Sequence, residues 1–387
     1  MRITHVTDVF LPRLGGIELQ VDDLSSRQLH SGHQPTVLTT TAPGADTADA
    51  VPVRRLGHGT AGIGPYRVVR EPLLLRALRA DRPDVVHAHI SAFSPLAWTL
   101  TRLAAADGIP TVVTVHSMWH DIVPLVRRYA RRYGAASWPV TWTAVSTAAA
   151  AAVQDALDGA PVAVLPNGID PAAWLAPPAP RTGAAPTLIS VLRMVRRKRP
   201  AALLDLLLVM RTVRPGGFRA VLVGDGPLLP GLRRRVAAAG AEADIVLAGA
   251  LDRPAIRALL AAADLYVAPA RHESFGIAAL EARSAGLPVV ARAGSGIADF
   301  IRDGTEGWLV HSDDDLRGTV ESLLDDPARL TAVARHNRAV APGVSWGTVL
   351  AAADALYDTA AHRQCRLPVH CRGQFVSPRN PSISYTL

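Results

Sequence analysis

Cysteine is almost absent from this chain of 387 residues, which holds only Cys365 and Cys371, both close to its C-terminal end. The main body therefore has neither a disulfide framework nor a thiolate metal site, as expected in a reducing compartment. Aromatic residues make up only 5% of the chain, and arginine replaces lysine almost throughout. Neither of these two biases indicates a mechanism.

Long apolar runs and a leader segment are lacking as well. Residues 201–210 come closest to an apolar span, but Asp205 interrupts them, and a membrane helix needs about 20 residues. Met1 and Arg2 lead directly into a strand-like run, without the charged start and apolar core of a signal peptide. We therefore expect a cytoplasmic protein that is free or peripheral at the inner face of the membrane.

The length and composition favour two globular domains. Hydrophobic residues make up 49% and charged residues 19% of the chain, so large cores can form. A chain of this length fits two α/β domains of about 150–200 residues each. The net charge of +8 suits an anionic ligand, an acidic membrane surface or nucleic acid, and does not choose among them.

Short β-rich runs alternate with helical patterns in the first half. We predict a helix over residues 17–31 and strands over residues 3–9, 36–40, 84–89, 110–115 and 142–145. Strands separated by helices imply right-handed crossovers and a parallel sheet covered on both faces. The first half is thus predicted to be a doubly wound α/β domain.

The second half repeats this alternation after a pause. A strand ending in a turn is expected over residues 164–170, and a Pro- and Ala-rich linker over 171–186. Further strands are predicted over residues 187–192, 219–223, 245–247, 265–267, 288–291 and 308–310. The predicted division is a first domain over 1–166, a second over 167–345, a helix over 346–362 that packs back on the first, and a tail over 363–387.

A glycine loop follows the first predicted strand. Gly15 and Gly16 stand between that strand and the first helix. Ligands of open α/β sheets bind beyond the carboxyl ends of strands, where glycine lets the backbone approach a diphosphate. The third glycine of the dinucleotide fingerprint is missing, so an ordinary turn remains the alternative.

A sharper pattern lies in the second half. Residues 271–281 have the sequence RHESFGIAALE and follow the strand predicted at 265–267. Glu273 is expected at the carboxyl end of this strand, with Gly276 and Ile277 at a helix start and Glu281 about two turns deeper. Carboxylates so placed can accept hydrogen bonds from sugar hydroxyls, and the backbone N–H groups between them can hold phosphate. A solvated helix charge is the alternative for either glutamate alone.

At this point the sequence resembles the retaining glycosyltransferases of family 4, which have the GT-B fold. Seven residues separate Glu273 from Glu281, as in the Glu-x7-Glu motif of that family. Further segments agree in order: Gly15-Gly16, His116 after a strand, LPNGID at 165–170, Arg193 with Lys198, VGDGP at 223–227 and AGLPV at 285–289. The resemblance extends over residues 1–362 and implies two Rossmann-like domains that face a central cleft.

The resemblance also implies roles for single residues. Glu273 would contact the donor hexose and Glu281 the ribose, while backbone amides of residues 275–277 (Phe275, Gly276, Ile277) would meet the sugar and phosphates. Arg193 and Lys198 would clasp the diphosphate, since two cations stabilise the charge on a departing nucleoside diphosphate. His116 would line the site near the reacting carbon, with Gly15 and Gly16 on the donor side.

Three details bear on this assignment. Leu192 stands where the family often has glycine before the arginine, so a loop with a different backbone geometry is the alternative. Arg196, Arg197 and Arg199 crowd the same loop and compete for the role of phosphate ligand. His120 lies close enough to be confused with His116, and a histidine at a strand end is often only a local hydrogen-bonding residue.

We expect neither a metal nor a resident cofactor. Asp313, Asp314 and Asp315 resemble the carboxylate clusters that hold Mn²⁺ or Mg²⁺ in other glycosyltransferases. Here they follow a strand and precede a helix, so N-capping and the helix dipole explain them. The nucleotide-sugar is a substrate. Arg193, Lys198 and helix N-termini are expected to supply the positive charge that stabilises its diphosphate.

Two basic stretches in the first half, at 67–79 and 127–133, could dock an anionic membrane that carries a lipid acceptor. A solvated helix face is the alternative. Tyr129 and Tyr133 among four arginines also resemble a nucleic-acid patch, but nothing else supports this, and we expect no nucleic-acid partner.

The sequence predicts a transferase that moves a hexosyl group from a nucleotide-diphosphate sugar to a hydroxyl acceptor. The acceptor is a glycan, a lipid or a small molecule, and GDP-mannose and UDP-sugars both remain open as donors. One alternative is a GT-B sugar-nucleotide epimerase, which would act without an acceptor. The other is a basic membrane-binding protein with a degenerate transferase site.

Overall fold

The computed structural model describes residues 1–44, 49–56, 62–63, 66–67, 69–177 and 185–365. The chain forms two compact units, of which unit 1 comprises residues 1–166 and those from Val349 onward, and unit 2 comprises Asn167–Thr348. The predicted tail lies outside the described residues from 366 onward.

Unit 1 is built on a parallel sheet of seven strands in the order β3-β2-β1-β6-β7-β8-β9. A separate antiparallel pair is formed by β4 and β5. The strands are β1 (Arg2–Thr7), β2 (Gln34–Thr39), β3 (Val53–Arg55), β4 (Gly62–Ile63), β5 (Tyr66–Arg67), β6 (Val85–Ile90), β7 (Thr111–Val115), β8 (Thr141–Ala144) and β9 (Val162–Val164).

Five α-helices connect the strands in the described part of unit 1. They are α1 (Gly16–His30), α2 (Glu71–Asp81), α3 (Pro95–Ala106), α4 (Val123–Tyr133) and α5 (Thr147–Ala156). Strands β1, β6, β7 and β8 are buried on both faces almost throughout, as expected of a central parallel sheet with helices on either side.

Unit 2 contains a second parallel sheet, of six strands in the order β12-β11-β10-β13-β14-β15. The strands are β10 (Thr187–Val191), β11 (Arg219–Val223), β12 (Ile245–Gly249), β13 (Leu265–Ala268), β14 (Val289–Arg292) and β15 (Gly307–Val310). The helices are α6 (Pro171–Trp174), α7 (Pro200–Val213), α8 (Leu229–Ala238), α9 (Arg253–Ala262), α10 (Ile277–Ser284), α11 (Asp313–Asp325) and α12 (Pro327–Ala339).

The last helix, α13 (Trp346–Cys365), begins in unit 2 and continues in unit 1. Tyr357 in its middle is 1% exposed and bonds to Gln28 of α1 and His87 of β6. Near its end, Arg363 donates to the carbonyl of Val140 at 3.1 Å. The helix therefore extends beyond the predicted end at residue 362, because its last turn is anchored to unit 1.

The predicted α/β fold of two doubly wound sheets is confirmed, although some local predictions were wrong. The segment at 164–170 is not a strand, since β9 ends at Val164 and the chain is irregular from there to α6. Part of the predicted linker forms α6, with Pro171 as its first residue and Trp174 buried. The short strands β3, β4 and β5 were not predicted.

Candidate active site

The sheet of unit 2 has a topological switch point between its adjacent strands β10 and β13. From β10 the chain goes on to β11 and β12 on one side, and it returns to β13, β14 and β15 on the other. Ligands of open α/β sheets bind at such a point, beyond the carboxyl ends of the strands. Arg193 and Lys198 follow β10, and Glu273 follows β13, so the sequence-predicted residues lie where this rule puts a ligand.

Lys198 and Glu273 form an ion pair across this switch point. The Lys198 ammonium donates to Oε2 of Glu273, and the two side chains are 22% and 15% exposed. The main-chain carbonyl of Glu273 accepts a hydrogen bond from the N–H of Gly296 at 2.8 Å. Lys198 is also the only lysine of the chain. The predicted phosphate ligand and the predicted sugar ligand are thus direct neighbours.

Helix α10 begins beside Glu273, with Gly276 as its N-cap. Gly276 has φ +91°, and a Cβ there would lie 2.4 Å from Cγ1 of Ile297, so both backbone and packing require glycine. Phe275 is 2% exposed and packs against Phe300. Ile277 is the first residue of the helix and Glu281 lies half-buried on its second turn. The main-chain N–H groups at this helix start are therefore held in a fixed place near the ion pair.

The loop after β10 is held against the loop after β11. Leu192 donates its N–H to Val223 at 2.9 Å, and Met194 donates to Asp225 at 2.9 Å. Gly224 has φ +133°, and a Cβ there would lie 1.9 Å from the carbonyl oxygen of Leu192. The Leu192 side chain packs on the core of unit 2. Residue 192 is not among the described residues with positive φ, so leucine fits where the family often has glycine.

Asp313 forms ion pairs with several of the arginines near the switch point. Arg199 binds it through two hydrogen bonds of 2.6 Å, and Arg271 and Arg292 lie 3.3 and 3.5 Å from its carboxylate. The hydrogen bonds from Arg199 lower the pKa of Asp313 to about 2. Arg199 is thus engaged within the protein, whereas Arg193 is exposed.

The three aspartates at the start of α11 have structural partners in this arrangement. Ser312 caps the helix and forms a capping box with Asp315, as the N-capping interpretation expects. Asp314 lies 3.4 Å from Arg317 on the same helix.

Unit 1 has its own switch point, between β1 and β6. Asp8 directly after β1 is buried and accepts hydrogen bonds from the N–H groups of Leu96 and Ala97, at 2.9 and 3.1 Å. Burial raises the pKa of Asp8 to about 7, against the opposing effect of these bonds. Asp8 occupies the start of α3.

The glycine loop of unit 1 encloses a buried carboxylate. Gly15 has an extended backbone with φ −174°, so its conformation does not require glycine. A Cβ at Gly15 would lie 2.3 Å from Oε2 of Glu18, which is 4% exposed and pairs with Arg13 at 3.1 Å. Gly16 is the first residue of α1. The small size of Gly15 thus makes room for Glu18, and a role of Gly15 and Gly16 in donor binding stays a prediction.

His116 follows β7, and its N–H bonds to the carbonyl of Ile90 at 2.8 Å. Its ring is half-buried, and Nε2 lies 3.0 Å from Nδ1 of His89. His120 lies in the following turn and is exposed, so the two histidines that the sequence left open to confusion have different surroundings. The sequence analysis missed His5, His87 and His89. The two-residue spacing of His87 and His89 on one strand was the available signal, because it places both rings on one face.

Comparisons with known proteins cover both units. A family model described as Glycosyltransferase Family 4 matches residues 14–173, and one described as Glycosyl transferases group 1 matches residues 178–340. The chain is 29% identical over 87% of its length to a GDP-mannose-dependent alpha-(1-6)-phosphatidylinositol monomannoside mannosyltransferase of Mycobacterium tuberculosis, of which it covers 92%. It is 28% identical over its full length to a glycogen synthase of the same organism, of which it covers 99%.

Solved structures share the fold. HepE of Anabaena, in complex with UDP and glucose, superposes with a TM-score of 0.72 at 19% identity, over 93% of this chain and 100% of that one. WaaG, a glycosyltransferase involved in lipopolysaccharide biosynthesis, superposes with a TM-score of 0.70 at 19% identity, over 92% and 99% of the two chains. With both family models and both sheets in agreement, the chain belongs to the glycosyltransferases with the GT-B fold.

Proposed function

We propose that this glycosyltransferase is a retaining member of family 4 that takes a hexosyl group from a nucleotide-diphosphate sugar. The observation that carries the proposal is the pairing of Lys198 with Glu273 at the switch point of unit 2. A cation and a carboxylate placed together beside a helix start can hold the two ends of the bond that breaks. The cation takes the diphosphate and the carboxylate takes the sugar.

The proposed roles follow from charge. Lys198 and Arg193 bind the diphosphate, on which negative charge grows as the glycosidic bond breaks, so both stabilise the transition state more than the ground state. The N–H groups at the start of α10 add to this effect. When the donor binds, its phosphate becomes the partner of Lys198 in place of the Glu273 carboxylate. Glu273 is then free to accept hydrogen bonds from hexose hydroxyls.

The remaining roles rest on the family resemblance. Glu281, farther along α10, accepts hydrogen bonds from the two ribose hydroxyls of the nucleotide. His116 of unit 1 lies at the reacting sugar in the complex with donor. Transfer proceeds with retention of the anomeric configuration. It needs no metal ion, because arginine, lysine and main-chain N–H groups supply the positive charge at the diphosphate.

The acceptor is proposed to be a glycan or a lipid, with GDP-mannose as the first donor to try. Support comes from the mycobacterial relative whose name specifies GDP-mannose and a phosphatidylinositol monomannoside. The exposed side of α4 offers Leu125, Arg128 and Arg132, whereas Arg127 and Arg131 of the same helix pair with aspartates of unit 1. Among the described helices, none is both long and apolar enough to span a bilayer. We propose that any membrane association is peripheral and weak, through the exposed arginines of α4.

The two glutamates provide the test. If Glu281 holds the ribose, Glu281→Ala should weaken binding of GDP or UDP, measured by calorimetry, as much as it weakens binding of the donor. If Glu273 holds the hexose, Glu273→Ala should leave the affinity for the nucleoside diphosphate unchanged or raise it, because Lys198 loses its internal partner. Its cost should appear in kcat and kcat/KM together. Glu242→Ala, at an exposed glutamate of unit 2, is the matched control.

Each outcome separates one part of the proposal. Loss of nucleotide binding in Glu273→Ala with normal binding in Glu281→Ala would reverse the two assignments. Normal binding and normal rate in both variants would show that the motif is incidental, and the proposed site would then be wrong.

A further inference from the structure

Neighbouring strands of unit 1 place polar side chains together on one face of the sheet. His5 of β1 lies in register with His87 of β6, while His89 of β6 lies in register with Thr114 of β7, and Thr114 with Thr143 of β8. All five side chains are at most 2% exposed. Such a group is stable only if its donors and acceptors find partners inside the protein.

Every member of this group is hydrogen-bonded to the next, through Gln28 of α1 and Tyr357 of α13, which are also buried. The contacts run from His116 Nε2 to His89 Nδ1 (3.0 Å), His89 Nε2 to His5 Nδ1 (3.0 Å), His5 Nε2 to Gln28 Oε1 (2.7 Å), Gln28 Nε2 to the Tyr357 hydroxyl (2.8 Å), that hydroxyl to His87 Nδ1 (2.9 Å), His87 Nε2 to Thr114 Oγ1 (2.7 Å), Thr114 Oγ1 to Thr143 Oγ1 (2.7 Å) and Thr143 Oγ1 to the Val113 carbonyl (3.0 Å). We call this series the histidine chain.

The far end of the histidine chain fixes the direction of donation. The Val113 carbonyl can only accept, so Thr143 donates its one hydroxyl proton there. Thr143 must then accept from Thr114, and Thr114 must accept from Nε2 of His87. A neutral His87 therefore carries its proton on Nε2 and accepts at Nδ1 from the Tyr357 hydroxyl.

The same reasoning continues to the near end. Tyr357 accepts from the amide nitrogen of Gln28, whose oxygen accepts from Nε2–H of His5. His5 then accepts at Nδ1 from His89, and His89 accepts at Nδ1 from Nε2–H of His116. Donation in the opposite direction would break the bond from Thr143 to the carbonyl. With neutral rings, one direction alone makes all the bonds.

The buried rings are neutral at pH 7. Burial lowers the pKa of His5 from its ordinary 6.5 to about 4, although the hydrogen bond with Gln28 opposes this effect. Burial and the neighbouring rings hold the pKa values of His87 and His89 well below the ordinary value.

A metal ion is the competing interpretation, because His5, His87 and His89 each offer a ligand atom within 4.8 Å of the others. The geometry favours hydrogen bonds. Both nitrogens of His87 already have partners in Tyr357 and Thr114.

We propose that His89 is a positioning residue for His116, which it holds with the proton on Nε2 and with Nδ1 as the basic nitrogen. The proposal rests on the proposed role of His116 at the reacting sugar. The amide of Gln28 is too weak a base to pass a proton onward, so the histidine chain orients His116 and does not carry protons away. Precise orientation matters because a ring that rotates or changes tautomer presents a different group to the substrate.

The hydrogen bonds can be tested without any substrate. In the full chain labelled with ¹⁵N-histidine, we expect scalar couplings between nitrogens across the N–H···N bonds, from His116 to His89 and from His89 to His5. All four rings should carry their proton on Nε2. Absence of the couplings would overturn the proposal, as would about one equivalent of zinc or another divalent metal in the purified protein.

The positioning role is tested by kinetics. His89→Phe keeps a ring in place but removes the acceptor of His116, and it should lower kcat about tenfold with less than a threefold change in the Kd for GDP or UDP. Turnover is measured as release of GDP from GDP-mannose or of UDP from UDP-glucose, whichever the enzyme uses. The control is Val86→Ala, a buried residue of β6 that alternation places on the opposite face. It should lower stability and leave kcat unchanged.

The outcomes distinguish this proposal from the proposed function. If His116→Ala abolishes turnover while His89→Phe matches wild type, His89 has no positioning role and the proposed function stands. If His116→Ala itself turns over normally, the role of His116 in transfer is wrong, and the positioning proposal fails with it. Equal loss of kcat in His89→Phe and Val86→Ala would show that His89 contributes to stability alone and does not position His116.

Discussion

The buried histidines of unit 1 should each lower its stability in mild acid, whereas buried Asp8, whose pKa is raised to about 7, opposes this loss, and His5 gives the magnitude for one ring. Its pKa is about 4 in the folded protein, against 6.5 for an ordinary histidine. Between these values the unfolded chain binds a proton that the folded chain does not, so the free energy of unfolding falls as pH falls. From pH 7 to pH 5 the linkage relation gives a loss of about 2 kcal/mol for His5 alone.

The measurement is urea unfolding at pH 7 and pH 5, followed by tryptophan fluorescence and fitted with separate transitions for the two units. His5→Gln lacks the titrating ring. Its own stability is lower, but its loss between pH 7 and pH 5 should be about 2 kcal/mol smaller than that of wild type. His120→Asn, at an exposed turn residue, should follow wild type. Equal losses in wild type and His5→Gln would refute the inference that the ring is buried and neutral, and the comparison cancels the opposing contribution of Asp8.

Four further predictions concern the donor site and the membrane. Lys198→Ala should weaken calorimetric binding of GDP or UDP about ten- to hundredfold, and binding of the bare nucleoside much less, since a charge-assisted bond is lost; equal weakening would remove Lys198 from the diphosphate. Gly224→Ala should lower the Tm and the nucleotide affinity, because its Cβ would meet the backbone of Leu192. Gly216→Ala, with φ +68° and open space around it, should lower the Tm slightly and leave the affinity unchanged. Equal effects of the two variants would exclude the contact with Leu192 as the cause. Turnover should persist in EDTA, and a complete loss restored by Mn²⁺ or Mg²⁺ would contradict the metal-independent proposal. Binding to vesicles of anionic lipid should be weak, fall with salt and decrease in Arg128→Glu; sedimentation equal to that with neutral vesicles would leave α4 an ordinary solvated helix.

The fold was predictable from the sequence because it depends on local alternation. Each central strand is a short apolar run bounded by turn residues, and such runs separated by helices have one common solution, a parallel sheet with helices on both faces. Strands β3, β4 and β5 were missed because they are only two or three residues long. Helix α6 was missed because the Pro- and Ala-rich composition around Pro171 favoured a linker.

The candidate site was predictable only in part. The positions of Glu273, Gly276 and Ile277 at a strand end and a helix start followed from the order of residues along the chain. Which cation would face the phosphate did not follow, because five basic residues occupy positions 193–199. Tertiary contacts set only Arg199 and Lys198 apart, since Arg199 binds Asp313, more than a hundred residues away, and Lys198 pairs with Glu273. That Lys198 and Arg193 bind the phosphate stays a proposal.

By itself, the sequence determined the two α/β units, the strand ends at which the candidate site lies and the glutamate spacing on which the family resemblance rests. These features are local, and each depends on residues within a turn or two of one another. Only the tertiary structure decided the partners of charged and polar side chains. His5, His87, Gln28 and Tyr357 come from two strands and two helices, and nothing in the sequence analysis connected them. Their hydrogen bonds arise because the parallel sheet sets β1 beside β6 and because buried polar atoms must find partners inside the protein.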